Sequence, residues 1–206
     1  MAVAATLLLA TPNVATADPV RLVALGDSLT AGYGLSNGDD AFPQKLEAAL
    51  KARGHDVLVV DAGVSGDTST GGLARLDWSV GPDADGVIVE LGANDMLRGA
   101  DPSVTAEAID QIVARLRKRG LEVLVAGMRA APNLGQEFGR DFDAIFPDVA
   151  ERHGALLYPF FLDGVVADPR LNQADGIHPT AEGIDVIVER ILPSVEALIE
   201  RIENAG

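Results

Sequence analysis

Five short, nearly continuous apolar runs punctuate the chain, at residues 20–25, 57–60, 87–91, 123–126 and 155–158. A strand with one wet face alternates apolar and polar residues, so unbroken runs of this length predict strands covered on both faces. Between them the spacing changes. In the stretch 104–119, Ile109, Ile112, Val113 and Leu116 recur three and four apart and fall on one face of a helix. The same logic predicts helices over 42–53, 137–153 and from 181 to about 202. Strand and helix therefore alternate, which requires crossover connections and predicts an α/β fold: a parallel sheet with helices on both sides and a site at the carboxyl ends of its strands. No internal repeat, linker or low-complexity stretch interrupts the pattern, so residues 18–206 are expected to form one domain.

The polar turns carry the chemistry. Gly26-Asp27-Ser28-Leu29, Gly63-Val64-Ser65-Gly66-Asp67 and Gly92-Ala93-Asn94-Asp95 each follow one of the first three strands, which places them on a common rim. A serine between a strand and a helix start can act as a nucleophile, its neighbouring backbone N–H groups unpartnered and free to face developing negative charge. It can equally be a plain helix cap. Serine needs an imidazole to take its proton and a carboxylate to orient that imidazole, and the chain offers only three histidines. His55 lies in a turn and His153 closes a helix before Gly154, both structural settings. His178 stands in Asp175-Gly176-Ile177-His178-Pro179, where a tight turn can bring Asp175 to one ring nitrogen and leave the other for Ser28, or where Asp175 can simply brace the turn. Asn94 and the N–H of Gly66 are candidate oxyanion donors. Asp27, Asp67 and Asp95 are expected to brace their loops through backbone N–H groups. The stretches 73–78 and 130–138 are expected either to wall an apolar acyl groove or to belong to the core.

Composition removes alternatives. The 206 residues carry 16 Lys and Arg against 31 Asp and Glu, a net charge of -15 that repels phosphate backbones and anionic lipid surfaces. Nucleic acid is not expected as a partner. Without cysteine there is no disulfide, no thiolate zinc site and no thiol nucleophile. Position 30 is Thr, so the Gly-x-Ser-x-Gly elbow of α/β-hydrolases is absent, and neither a phosphate-binding loop nor Gly-x-Gly-x-x-Gly is present. No His-rich acidic cluster suggests a metal, and no cofactor is expected.

The first seventeen residues contain no charge and run through an apolar stretch to Ala15-Thr16-Ala17, similar to the apolar region and cleavage site of a secretory signal. The expectation is cleavage after Ala17 and a periplasmic or secreted protein, or a cytoplasmic one if the stretch is only an apolar tail. The apolar run is too short for stable membrane insertion, which takes about 20 residues.

Taken in order, Gly26-Asp27-Ser28-Leu29, Gly66, Gly92-Ala93-Asn94-Asp95 and Asp175-Gly176-Ile177-His178-Pro179 resemble the four sequence blocks of the SGNH (GDSL) hydrolase family, over residues 20 to 193. Within it the chain is similar to bacterial arylesterases and to the thioesterase I/protease I/lysophospholipase L1 group. The resemblance implies a three-layer α/β/α sandwich around a five-stranded parallel sheet, flavodoxin-like in plan. It also implies Ser28 as nucleophile, His178 as base, Asp175 as its orienter, and Ser28, Gly66 and Asn94 as oxyanion donors. The implied activity is hydrolysis of small-molecule acyl or aryl carboxylic esters through an acyl-enzyme, with thioesterase or lysophospholipase activity beside it. A carbohydrate acetyl esterase or a non-catalytic binding protein would share the fold. Ala93, where thioesterase relatives often have Gly, and the stretch 129–140 depart from the pattern and bear on acyl-chain preference.

Overall fold

The computed structural model describes residues 18–205. The proposed secretory segment 1–17 lies outside the described residues. Five strands form one sheet: β1 (Val20–Gly26), β2 (Val57–Gly63), β3 (Gly86–Glu90), β4 (Glu122–Ala126) and β5 (Leu156–Tyr158). Every pairing is parallel and the order is β2-β1-β3-β4-β5. The five apolar runs of the sequence are these five strands. β3 is buried along its whole length and β1 and β4 along most of theirs, as helices on both faces require.

Helices α2 (Phe42–Ala52) and α8 (Ala181–Ala205) pack together on one face, and α3 (Ser69–Ala74), α6 (Pro102–Lys118) and α7 (Gln136–His153) on the other. The apolar stripe read in the sequence is the buried face of α6, where Ile109, Ile112, Val113 and Leu116 are fully enclosed. This helix starts two residues earlier than its periodicity predicts. Asp101 caps it by accepting from the Ser103 N–H at 2.9 Å, and Pro102 occupies the first position, where a missing N–H is harmless. Four short helices have no periodic signature: α1 (Ser28–Ala31), α4 (Leu76–Ser79), α5 (Ala93–Leu97) and α3 itself. Each lies in the segment after β1, β2 or β3.

Strand order fixes where a ligand can enter. From β1 the chain moves outward to β2, then returns across β1 to place β3 on its other side. The connections after β1 and β3 thus leave in opposite directions, and a crevice opens between the carboxyl ends of those strands. Ser28 follows β1 and Asn94 follows β3.

Candidate active site

Ser28 occupies the first position of α1 and is nearly enclosed. The turn that presents it is held by Asp27, whose Oδ1 accepts from the Leu29 N–H at 2.9 Å, and the helix stops at Gly32, in the left-handed region at φ 71°. The cap is therefore Asp27, and the Ser28 hydroxyl is free for another partner. That partner is His178, whose Nε2 lies 2.9 Å from Ser28 Oγ.

On the far side of the ring, His178 Nδ1 lies 2.7 Å from Asp175 Oδ2. Asp175 Oδ1 accepts from the N–H groups of Ile177 and His178 at 2.9 and 3.0 Å, so one carboxylate shapes the turn and meets the ring. Its hydrogen bond to His178, followed by those backbone N–H groups, lowers the Asp175 acid to about 2. An ionised carboxylate only accepts, so Nδ1 carries the proton of a neutral ring, Nε2 presents its lone pair, and the serine hydroxyl donates to it.

The loop carrying His178 is tied to the nucleophile segment. Gln173 Nε2 donates to the carbonyls of Tyr33 and Pro179 at 2.7 and 2.9 Å, and Gln173 N donates to His178 O at 2.7 Å. The Tyr33 ring lies 4.7 Å from the His178 ring.

Asn94 enters from the β3 side after Gly92, whose φ of 117° favours glycine. Its Nδ2 donates to Asp27 Oδ2 at 2.9 Å, which fixes the amide plane beside Ser28. Gly66 lies in the turn after β2 at φ 83°, and Arg98 Nη2 donates to its carbonyl at 2.7 Å. The structure thus brings together two hydrogen-bonded groups, Ser28 with His178 and Asp175, and Asn94 with Asp27, which are joined where Asp27 precedes Ser28 in the chain, and it ties Gly66 to the end of α5 through Arg98. The expectation that Asp27, Asp67 and Asp95 brace through backbone N–H groups holds for Asp27 and Asp95 and fails for Asp67, whose carboxylate meets a guanidinium instead. Asp95 accepts from both N–H and hydroxyl of Ser69, and Asp67 pairs with Arg75 Nε at 2.6 Å. Arg75 in turn donates to the Ala62 and Gly26 carbonyls at 2.8 Å and clasps the ends of β2 and β1. Arg75 and Ser69 stand outside the family-like blocks, while Glu90 and Gln173 lie in the family-like stretches Glu90-Leu91-Gly92 and Gln173-Ala174-Asp175-Gly176; no role of the four is legible locally, and only the ends of separate strands meeting in space expose them.

Ser28, Asn94 and His178 line a cavity of about 490 Å³ whose other walls are mostly apolar, among them Met96, Met128, Phe160, Leu162, Val166 and Ile177. Ala130 and Ala131 contribute, as expected for part of 130–138, whereas Phe138 packs against the core and stacks on Phe142. Residues 73–78 stand apart from the cavity lining: they close α3 and form α4, with Leu76 fully buried in the core, whereas Trp78 is 85% exposed and belongs to neither groove nor core. His153 bonds Asp110 and His55 faces Glu196, the structural settings expected of them. Among the described residues no group of three His, Cys, Asp or Glu is arranged to hold a metal.

Behind Ser28 the electrostatics are unusual. Burial raises the Asp27 acid to about 6, against the lowering effect of its bonds from Leu29 and Asn94. Glu90, fully enclosed beside it, is pushed well above the carboxylate range by burial and then by the Asp27 charge.

The family described as GDSL-like lipase/acylhydrolase matches residues 24–186. An arylesterase of Vibrio mimicus is 38% identical over 82% of this chain and 84% of its own. Thioesterase 1/protease 1/lysophospholipase L1 of Escherichia coli (strain K12) is 36% identical, covering 94% and 90%. The crystal structure of AlinE4, titled an SGNH-hydrolase family esterase, superposes with a TM-score of 0.74 at 41% identity, over 89% of this chain and 98% of that one.

Proposed function

The chain belongs to the GDSL-like lipase/acylhydrolase family, and we propose that this esterase-type hydrolase cleaves short to medium acyl or aryl carboxylic esters through Ser28, His178 and Asp175. The observation that carries the reading is the line of contacts from Asp175 Oδ2 through His178 to Ser28 Oγ, at 2.7 and 2.9 Å. As Ser28 Oγ attacks the ester carbonyl, His178 Nε2 takes its proton. The carbonyl oxygen becomes an oxyanion, received by the N–H groups of Ser28 and Gly66 and the amide of Asn94. Collapse breaks the ester bond, and the proton on Nε2 goes to the departing alcohol. Water then gives a proton to the same nitrogen as it attacks the acyl-enzyme; the second oxyanion collapses, the acyl–Oγ bond breaks, and Nε2 returns its proton to Ser28 Oγ as the acid leaves. Asp175 remains ionised throughout and stabilises the transient imidazolium.

Substrate class follows from the cavity walls. The apolar surface around Met96, Phe160 and Ile177 favours an acyl chain or aryl group over a sugar. Residues 18–206 are taken as the catalytic domain. The test is a panel of p-nitrophenyl esters from acetate to medium chains, with an acetylated sugar, given to the wild type and to Ser28→Ala. The expected result is hydrolysis of the aryl esters by the wild type and none by the folded variant. Hydrolysis of the acetylated sugar alone would move the assignment to carbohydrate esterases, and a folded wild type without activity would move it to a binding protein.

A further inference from the structure

Beneath the nucleophile turn lies a carboxyl for which the reaction scheme has no role. Glu90 closes β3, sits opposite Gly26 across the parallel ladder, and is 1% exposed. Acidic side chains are rarely enclosed this completely without a partner. Glu90 Oε2 receives the Thr30 hydroxyl at 2.8 Å and, more weakly, the Asp27 backbone N–H at 3.4 Å. Gly26 makes room for the arrangement: a Cβ there would collide with Thr30 Oγ1 and stand 2.7 Å from Glu90 Oε2. Glu90, Thr30 and the absent side chain of Gly26 are thus one fitted unit under the residue that precedes the nucleophile.

Asp27 relays the arrangement upward. Its backbone N–H faces Glu90, while its carboxylate caps Leu29 and holds the Asn94 amide, both at 2.9 Å. Displacing the Asp27 backbone would therefore move Ser28 and Asn94 together, and misplacement of about 1 Å can lower turnover about 10²-fold.

We propose that Glu90 is a positioning residue for this reaction: with Thr30 it anchors the Asp27 backbone, and through Asp27 it sets Ser28 and Asn94 in register. The inference rests on the serine-esterase reading. It assigns Glu90 a role of shape rather than charge, in keeping with the raised acid that burial and Asp27 produce. A glutamine, neutral and of the same shape, presents an acceptor to Thr30 and Asp27 and should replace it; alanine should not.

The test uses the full chain and a p-nitrophenyl ester. Glu90→Gln should keep kcat within about threefold of wild type, while Glu90→Ala lowers kcat about tenfold or more with KM little changed, because the cavity walls are untouched. Thr30→Val removes the other half of the pair and should also lower kcat. The double variant Thr30→Val/Glu90→Ala should be no slower than Glu90→Ala, since both changes break one link. Wild-type kcat in folded Glu90→Ala, a Glu90→Gln as slow as the alanine variant, or fully additive losses would overturn the proposal. If Glu90→Ala does not fold, the other two single variants decide: a slow Glu90→Gln or a wild-type-like Thr30→Val overturns it. Ser28→Ala in the same assay separates the two claims. An inactive wild type or an active Ser28→Ala defeats the esterase reading, whereas an active wild type with an unaffected Glu90→Ala defeats only the role of Glu90.

Discussion

Buried behind Ser28, Asp27 accepts bonds from Leu29 and Asn94 yet sits where its charge is poorly solvated, and its acid rises from 3.8 to about 6. The folded protein therefore takes up this proton at higher pH than the unfolded chain does. Its contribution to stability is fully present below about 3.8 and is lost as pH rises through about 6. Between pH 7 and pH 5 this amounts to about 1 kcal/mol in favour of the lower pH. Asp27→Asn should shrink the stability difference between the two pH values by about that amount, measured by denaturant unfolding, the remainder belonging to other groups such as the enclosed Glu90; a difference as large as that of the wild type would exonerate Asp27. The same variant supplies one carbonyl acceptor where two donors arrive at two oxygens, so its ester turnover should fall. Asp175 has the opposite sign. Its acid is lowered to about 2, so its stabilising bonds are present above 3.8 and fade as pH falls through about 2. Asp175→Asn should lower kcat by about 10⁴, because an amide that donates to Nδ1 leaves the ring proton on Nε2, the wrong tautomer for a base, and Asn94→Ala by about 10²–10³ through loss of an oxyanion donor. Folded variants with wild-type rates would remove those roles.

Elements position these side chains through close approaches at strand ends. At the end of β2, a Cβ on Gly63 would stand 2.5 Å from the Ala31 backbone N of α1, which cannot swing aside as a flexible side chain can. Gly63→Ala should destabilise the protein by about 1–3 kcal/mol and slow hydrolysis by shifting the nucleophile helix; unchanged stability and rate would show that α1 tolerates the push. The sequence makes such elements legible unevenly. The five strands stand out because burial on both faces makes them apolar runs, and α6 because its stripe persists over four turns or more. β2 extends past its apolar run to Gly63 because Asp61, Ala62 and Gly63 still pair with β1, a cross-strand fact without local trace. The short helices fall below the length at which periodicity can register. Asp175 and His178 are visible as a pair because a turn joins residues three apart, whereas the bond from Asn94 to Asp27 joins residues 67 apart and exists only once β1 and β3 are neighbours. Glu90 shows the limit most clearly: in sequence it ends an apolar strand and leads the family-like stretch Glu90-Leu91-Gly92, and neither fact says what it bonds.

At the scale of the whole molecule, a net charge of -15 sets a repulsive field for anions. A coenzyme A thioester is polyanionic, while an aryl acetate is neutral. Raising ionic strength from about 0.01 to 0.15 M shortens the screening length from about 30 to about 8 Å, so kcat/KM for an acyl-CoA should rise while that for the neutral ester stays level. Equal responses would remove the electrostatic preference. Whether Ser28 is the nucleophile of an acyl-transfer site is read out by trapping it. The protein is treated with a p-nitrophenyl phosphonate ester and its peptides are mapped by mass spectrometry as esterase activity declines. One phosphonyl group should appear, on Ser28, in proportion to the activity lost. Inactivation with the group on another residue, or full activity with Ser28 modified, would contradict that role.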